Sequence, residues 1–308
     1  MVQETGARAT VASVVVNHNA GDSLGAFLSS LRAEKVTDVI VVDNASTDGS
    51  SDGIAPDPAV RVIRTGVNLG YGSGANRGLA QTDADLVLIS NPDVSVHSGA
   101  LTALSAAFAA DPTLAIAGPR ILEADGTRYP SARRFPSMAV AAGHVLLGTL
   151  SPGNRFSRRY RMADLDPESG PASGPAVGSG ATVSVDWVSG ACFMARASAL
   201  KELGGFDESY FMYVEDLDLC WRAHRAGWAV AYVPGATVTH LQGMATARHP
   251  YRMLLAHHRS AFHFASKRAQ GWRRLALPGV AVLLATRLAV AGARQAIGPR
   301  HKNERQGD

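Results

Sequence analysis

Cysteine is almost missing from this chain. Cys192 and Cys220 are the only two in 308 residues. That count excludes a disulfide framework and a zinc pattern built on thiolates. Both read as small buried hydrophobes in a reduced, cytosolic setting. Long apolar runs are missing too. Met1 to Thr10 contains none, so no secretory signal is visible. The apolar run Leu275 to Thr286 contains Pro278 and is followed by Arg287. It falls short of the roughly 20 residues that span a bilayer. Acid is missing from a third stretch. Between Leu219 and Asn303 there is no Asp or Glu, against thirteen Lys and Arg. The other 17 basic residues face all 26 acidic ones, so the rest of the chain carries net −9 while the whole carries +4. An acidic body with a basic tail points to an anionic partner for the tail. With Trp272, Arg273 and Arg274 ahead of it, the apolar run predicts a helix lying on an anionic membrane surface. The plainer alternative is a packed C-terminal helix with basic flanks. No internal repeat is visible.

What is present fits a globular protein: 46% hydrophobic residues and 18% charged, on a chain long enough for a full core. Val11 to Asn17 reads as a buried strand, and Leu24, Phe27, Leu28 and Leu31 give helical spacing over 22–34. Further strands are predicted at 39–42, 60–63 and 86–90, and one over the apolar run 230–238, with helices at 73–80 and 99–110. Alternating strands and helices indicate an α/β fold around a mainly parallel sheet. Ligands of such sheets gather at the carboxyl ends of the strands, where Asn17, Asp43 and Asp93 fall. Residues 164–186, rich in Gly, Ser, Pro and Ala, read as a mobile loop. Residues 251–268 and 273–297 look helical.

Each polar candidate has two readings. Asp43 beside Asn44 is either a base contact or a turn former. The turn from Asn68 and Gly70 to Asn76, Arg77 and Gly78 offers amides and a guanidinium to a diphosphate. It follows the third strand rather than the first, which argues against a dinucleotide fingerprint. Asp93, after Asn91 and Pro92, is a metal ligand or a turn cap. His240, at the end of an apolar run, gains meaning if it meets Asp93 in space. The richest segment is Phe211 to Gly227, where Glu215, Asp216 and Asp218 open a helical pattern carrying Arg222. These acids either complement the helix dipole or include a general base. Asp216 is the expected base, Glu215 an orienting group, and Asp218 with Arg222 has the spacing of an i,i+4 pair.

In order along the chain, five segments resemble the inverting glycosyltransferases of family 2, with the GT-A fold. They are Val14-Val-Val-Asn-His-Asn19, Val41 to Gly49, Asn68-Leu-Gly-Tyr-Gly to Gly78, Asn91-Pro-Asp93, and Gly204-Gly-Phe-Asp-Glu through Arg222. Within that family the chain looks most like actinobacterial rhamnosyltransferases of the arabinogalactan linkage unit. The resemblance implies a GT-A domain over 1–245, with a nucleotide half at about 11–125 and an acceptor half at about 185–245, ahead of a basic helical tail over 246–308. It implies a dTDP-L-rhamnose donor held by Asn17, Asn19, Asp43, Asn68, Gly70, Asn76, Arg77 and Asn91. A divalent cofactor, Mg²⁺ or Mn²⁺, would sit on Asp93 and His240. Trp187, Gly190, Glu215 and Arg222 would line the acceptor, a polyprenyl-diphosphate-linked sugar, and Asp216 would be the base. Asn91 departs from the family, many members having Asp there. The implied setting is cytoplasmic, peripheral at the inner face of the membrane, with no nucleic-acid partner and with oligomers allowed. Other donors (galactofuranose, glucose, mannose), a nucleotidyltransferase or a non-catalytic nucleotide-sugar-binding module are the rival readings.

Overall fold

The computed structural model describes residues 9–135, 162, 181–241 and 250–297. They fall into two compact units, divided at Met212–Val214 and after Arg248. Most of the loop expected at 164–186 lies outside the described residues, as does the tail beyond 297.

The first unit is built on a ten-stranded sheet. Its leading half is parallel: β3 (Val60–Arg64), β2 (Val39–Asp43), β1 (Val11–Asn17) and β4 (Leu86–Ser90) lie side by side. β1 and β2 are Val- and Ile-rich and buried nearly throughout, as strands covered on both faces must be. The register sets Asn17 directly beside Asp43, so both strands end level. Helix α1 (Ser23–Ala33) buries Leu24, Phe27, Leu28 and Leu31 in the core. Each such side chain contributes about 1.5–3 kcal/mol on burial. Helix α2 (Tyr71–Leu79) covers the same strands at much closer range. A Cβ at Gly78 would run into Val14, and one at Gly74 would stand 2.9 Å from Val16. These glycines therefore serve helix–sheet packing.

Beyond β4 the sheet changes character. β5 (Val94–Val96) and α3 (Ala100–Ala110) lead to β6 (Leu114–Leu122), then to the short β7 (Arg128–Tyr129) and β8 (Ala132–Arg133). After the undescribed segment come β9 (Val183–Ser184), β10 (Trp187–Val188), β11 (Cys192–Arg196), α4 (Ala197–Leu203), α5 (Glu215–Arg225) and β12 (Ala229–His240). β11 enters antiparallel between β4 and β6. β12 then runs parallel to β6 and antiparallel to β5 at the edge. β6 carries Pro119 and β12 carries Pro234, which ordinary strand patterns exclude. The ladder slips between Val233 and Thr237, opposite Pro119 and Arg120, and this irregularity accommodates both prolines. β9 pairs with β12, so the loop expected to reach residue 186 has already given way to strand at Val183.

The second unit holds α6 (Pro250–Arg268), a 3₁₀ segment Gly271–Ala276 and α7 (Leu277–Ile297). The single helix expected over 273–297 is thus split. Pro278 explains the break: it fits the first turn of a helix, where its missing N–H has no partner to lose, but not an interior. No described helix is long and apolar enough to cross a membrane.

Candidate active site

The carboxyl ends of β1 and β2 form a dense polar knot in which Asn17 Oδ1 alone is buried without a partner. Asn17 is fully buried, and its amide donates to the hydroxyls of Ser46 at 3.1 Å and Ser50 at 2.9 Å. Asn19 adopts φ +56° and accepts the Thr47 N–H at 2.8 Å. Asp43 accepts the Ser46 N–H at 3.1 Å and the Ser51 hydroxyl at 3.0 Å. All three were expected on the donor. Here they shape the 43–51 turn, and Asn17 in particular is sealed from any ligand. The structure adds Asn44, whose amide bonds Asn68 at 3.1 Å and the Gly70 carbonyl at 3.0 Å, and whose oxygen accepts the Leu69 N–H at 2.9 Å. It ties the end of β2 to the glycine-rich turn.

That turn is also committed to the fold. Asn68 accepts the Gly70 N–H, and the Tyr71 N–H donates to the Phe211 carbonyl at 3.0 Å. Gly70 has φ +87°, and a Cβ there would run into that carbonyl. Two of the amides expected to face a diphosphate are thus satisfied within the protein. Asn76 bonds the Phe206 backbone through both ends of its amide, at 2.9 Å each, so it fastens α2 to the 204–208 turn rather than to a donor. Arg77 is exposed in the last turn of α2, about two turns from Gly70.

The other strand ends are built differently. His240, the last residue of β12, lies opposite Val94 in the ladder, and the Leu241 N–H donates to the Asp93 carbonyl. This brings the His240 Nε2 to 3.1 Å from Asp93 Oδ1, with both side chains 12% exposed. The Asn91 amide stands 3.4 Å from the same nitrogen. His240 Nδ1 is buried without a hydrogen-bond partner. So the histidine and the carboxylate do meet. Adjacent ligands of an octahedral ion with bonds of about 2.1 Å are about 3 Å apart, so these two donors suit neighbouring positions on a divalent cation. Among the described residues no cluster of three or more His, Cys, Asp or Glu could hold a metal. Water and ligand oxygens would have to complete such a shell.

Asp216 occupies the first turn of α5 with Glu215 and Asp218. The Gly190 N–H donates to one of its oxygens at 2.7 Å and the Leu217 N–H to the other at 2.8 Å. Burial nonetheless holds its carboxyl above the usual carboxylate range, against those two donors and the nearby charge of Arg133. A carboxylate fixed in place yet short of solvation is an effective proton acceptor. Gly190 therefore acts on Asp216: a Cβ there would press on the Asp216 side chain at 3.0 Å. Glu215 is buried beside it. Trp187 is almost wholly buried, donating to the Arg134 carbonyl with Arg133 against its ring. Arg222 is turned inward. It pairs with fully buried Asp218 at 2.7 Å and donates to the carbonyls of Leu203 and Gly205. It clamps α5 to the α4 end, and its expected place at the acceptor is withdrawn.

Besides Asn44, two residues stood outside the expected set, Tyr71 and Arg133. The Tyr71 hydroxyl donates to the Gly190 carbonyl at 2.7 Å. Its phenol is kept protonated by burial above all, and then by the carboxylates of Glu215, Asp216 and Asp93. Tyr71 and Asp216 thus hold the two sides of the Gly190 peptide, its carbonyl and its N–H. The sequence signal was slight, an aromatic side chain between Gly70 and Gly72. Arg133 was missed as well, on a two-residue strand.

The family model for glycosyl transferase family 2 matches residues 13–174, and that for glycosyl transferase family group 2 matches 132–287. The N-acetylglucosaminyl-diphospho-decaprenol L-rhamnosyltransferase of Mycobacterium tuberculosis is 40% identical over 278 residues, covering 86% of each chain. Among solved structures, the mannosyltransferase PcManGT from Pyrobaculum calidifontis, in complex with GDP-Man and Mn²⁺, superposes with a TM-score of 0.57 at 18% identity. It covers 95% of this chain and 76% of its own. GalNAc-T7 with UDP, GalNAc and Mn²⁺ gives 0.53 at 14% identity over 77% of this chain, which spans 44% of that longer protein. The fold is that of the GT-A glycosyltransferases, and by both family match and sequence identity this chain belongs to glycosyl transferase family 2.

Proposed function

We propose that the chain is an inverting rhamnosyltransferase. It moves L-rhamnose from dTDP-β-L-rhamnose to N-acetylglucosaminyl-diphospho-polyprenol, forming an α-1,3 linkage in cell-wall linker synthesis. The observation that carries this reading is Asp216, a carboxyl with a raised pKa held by two backbone N–H donors, in a fold that also pairs Asp93 with His240. The similarity to the mycobacterial rhamnosyltransferase supports the choice of substrates.

In a single displacement Asp216 accepts the proton of the acceptor hydroxyl as that oxygen attacks the anomeric carbon, so a β-linked donor gives an α-linked product. Glu215 and Gly190 keep Asp216 in place. Asp93 and His240, with Asn91 beside them, would hold a divalent ion, Mg²⁺ or Mn²⁺. When bound, that ion offsets charge on the departing nucleoside diphosphate. Asn19, Asp43 and Asn68 support the donor side by fixing the loops around it, and exposed Arg77 remains available to an anionic ligand. Work on a lipid-borne acceptor places the enzyme peripherally at the inner face of the cell membrane. Purified enzyme given a panel of nucleotide sugars and a synthetic N-acetylglucosaminyl-diphospho-lipid tests this by mass spectrometry. A deoxyhexose increment with dTDP-L-rhamnose is expected. Turnover of another nucleotide sugar with none of dTDP-L-rhamnose would overturn the donor assignment.

A further inference from the structure

Helix α7 half-buries its leucines, Leu277, Leu283, Leu284 and Leu288, and still leaves an uncharged apolar face outward. Pro278, Val282, Ala285 and Ala289 are exposed, Val282 to 68%. Steps of four, three and four residues put them on one face. Arg287, about 180° round the helix from Pro278, is half-buried instead. Thr286, at the edge of the exposed face, turns its hydroxyl back onto the Val282 carbonyl at 2.9 Å. It therefore asks nothing of water.

The 3₁₀ segment extends this face. In a 3₁₀ helix residues three apart eclipse one another, so Trp272 and Leu275 stand on the same side. They are 78% and 84% exposed, the two most exposed large hydrophobics among the described residues. Arg273 and Arg274 lie between them and are exposed as well. No acidic residue occurs from Leu219 to Asn303. A helix packed on one side only would expose its arginine to water, whereas here the outward face carries no charge and Arg287 lies on the half-buried side. A contact face for another protein copy would bring the same cations against each other. Aromatic and aliphatic tips with interleaved arginines and no nearby acid complement one surface best, the interfacial layer of an anionic bilayer.

We propose that Trp272 and Leu275 insert into an anionic lipid surface, with Arg273 and Arg274 at the headgroups and the outward face of α7 lying along the boundary. The biological sense of this contact rests on the lipid-borne acceptor proposed above. Flotation of the full-length protein with phosphatidylcholine vesicles, with and without phosphatidylglycerol, tests the contact separately from catalysis. Transfer to a short-chain, water-soluble acceptor is measured in parallel. Wild-type protein should float with the anionic vesicles and at least about tenfold less with neutral ones. The W272S/L275S variant should lose about tenfold or more in vesicle affinity while transferring to the soluble acceptor at the wild-type rate. R273Q/R274Q should weaken binding only to anionic vesicles. Unchanged flotation of both variants overturns the proposal. So does a concentration-dependent dimer in sedimentation that W272S/L275S dissolves, since the face would then belong to a second copy. Failure of transfer by every form, with flotation as expected, would instead count against the transferase reading and leave the contact standing.

Discussion

The two sets of strand ends in the first unit differ in what their polar side chains do. At β1 and β2, Asn17, Asn19, Asp43 and Asn44 are consumed by one another's loops. At β4 and β12 Asp93 and His240 meet each other with His240 Nδ1 left without a partner, and at the start of α5 Asp216 takes one backbone N–H on each oxygen. The sequence marks both alike, as short polar residues closing apolar strands. The difference lies in the shell. The loops enclose the first set, leaving only Asn17 Oδ1 unbonded in a side chain sealed from solvent, whereas Asp93 and His240 keep an edge exposed to a ligand.

Substitutions on the two sides should therefore fail in different currencies. The largest effect is expected at Asp216. Asp216→Asn should lower transfer by about 10³-fold or more while donor affinity, read by calorimetry, stays near wild type. Because activity needs the ionised carboxylate, wild-type kcat/KM should fall as pH drops through a pKa above the usual value of about 3.9. A raised folded-state pKa means that the unfolded chain gives up this proton more readily, so the ionised group opposes folding at neutral pH. The Asn variant should consequently melt no lower than wild type. Retained turnover would refute the base assignment.

Next comes Asp93→Asn, with an expected loss of about a hundredfold in kcat/KM at nearly unchanged melting temperature. If Asp93 and His240 act as one unit, adding His240→Gln should cost little more. Full additivity would separate them. The smallest loss of activity is expected at Asn17→Ala. Removing its amide leaves two serine hydroxyls short of a partner and should cost about 1–3 kcal/mol of stability, with activity per folded molecule within tenfold of wild type. A large catalytic loss at constant stability would place Asn17 on the donor after all.

Much of the first half was legible because parallel strands buried on both faces leave continuous Val and Ile runs, as at Val39–Val42 and Leu86–Ile89. The centre of the sheet was not. β6 hides behind Pro119, whose unsuitability is absorbed by a ladder slip on β12 that only tertiary pairing reveals. β11 is short and antiparallel, and nothing local announces its neighbours. Within the site, the meeting of His240 with Asp93 was a stated condition that the β5–β12 pairing fulfils. Arg222 was the converse case: its i,i+4 spacing to Asp218 already named its structural partner. Tyr71 was invisible because its role depends on Gly190, 119 residues away.

The two cysteines return with a practical meaning. Burial pushes the thiols of Cys192 and Cys220 up to about 12, so neither offers a thiolate to alkylating reagents near neutral pH. The native chain is thus a silent background for thiol chemistry. One cysteine introduced at an exposed site such as Trp272 would carry a fluorophore or spin label alone, and depth-dependent quenchers in a bilayer could then gauge its immersion without first stripping the protein of its own sulfur.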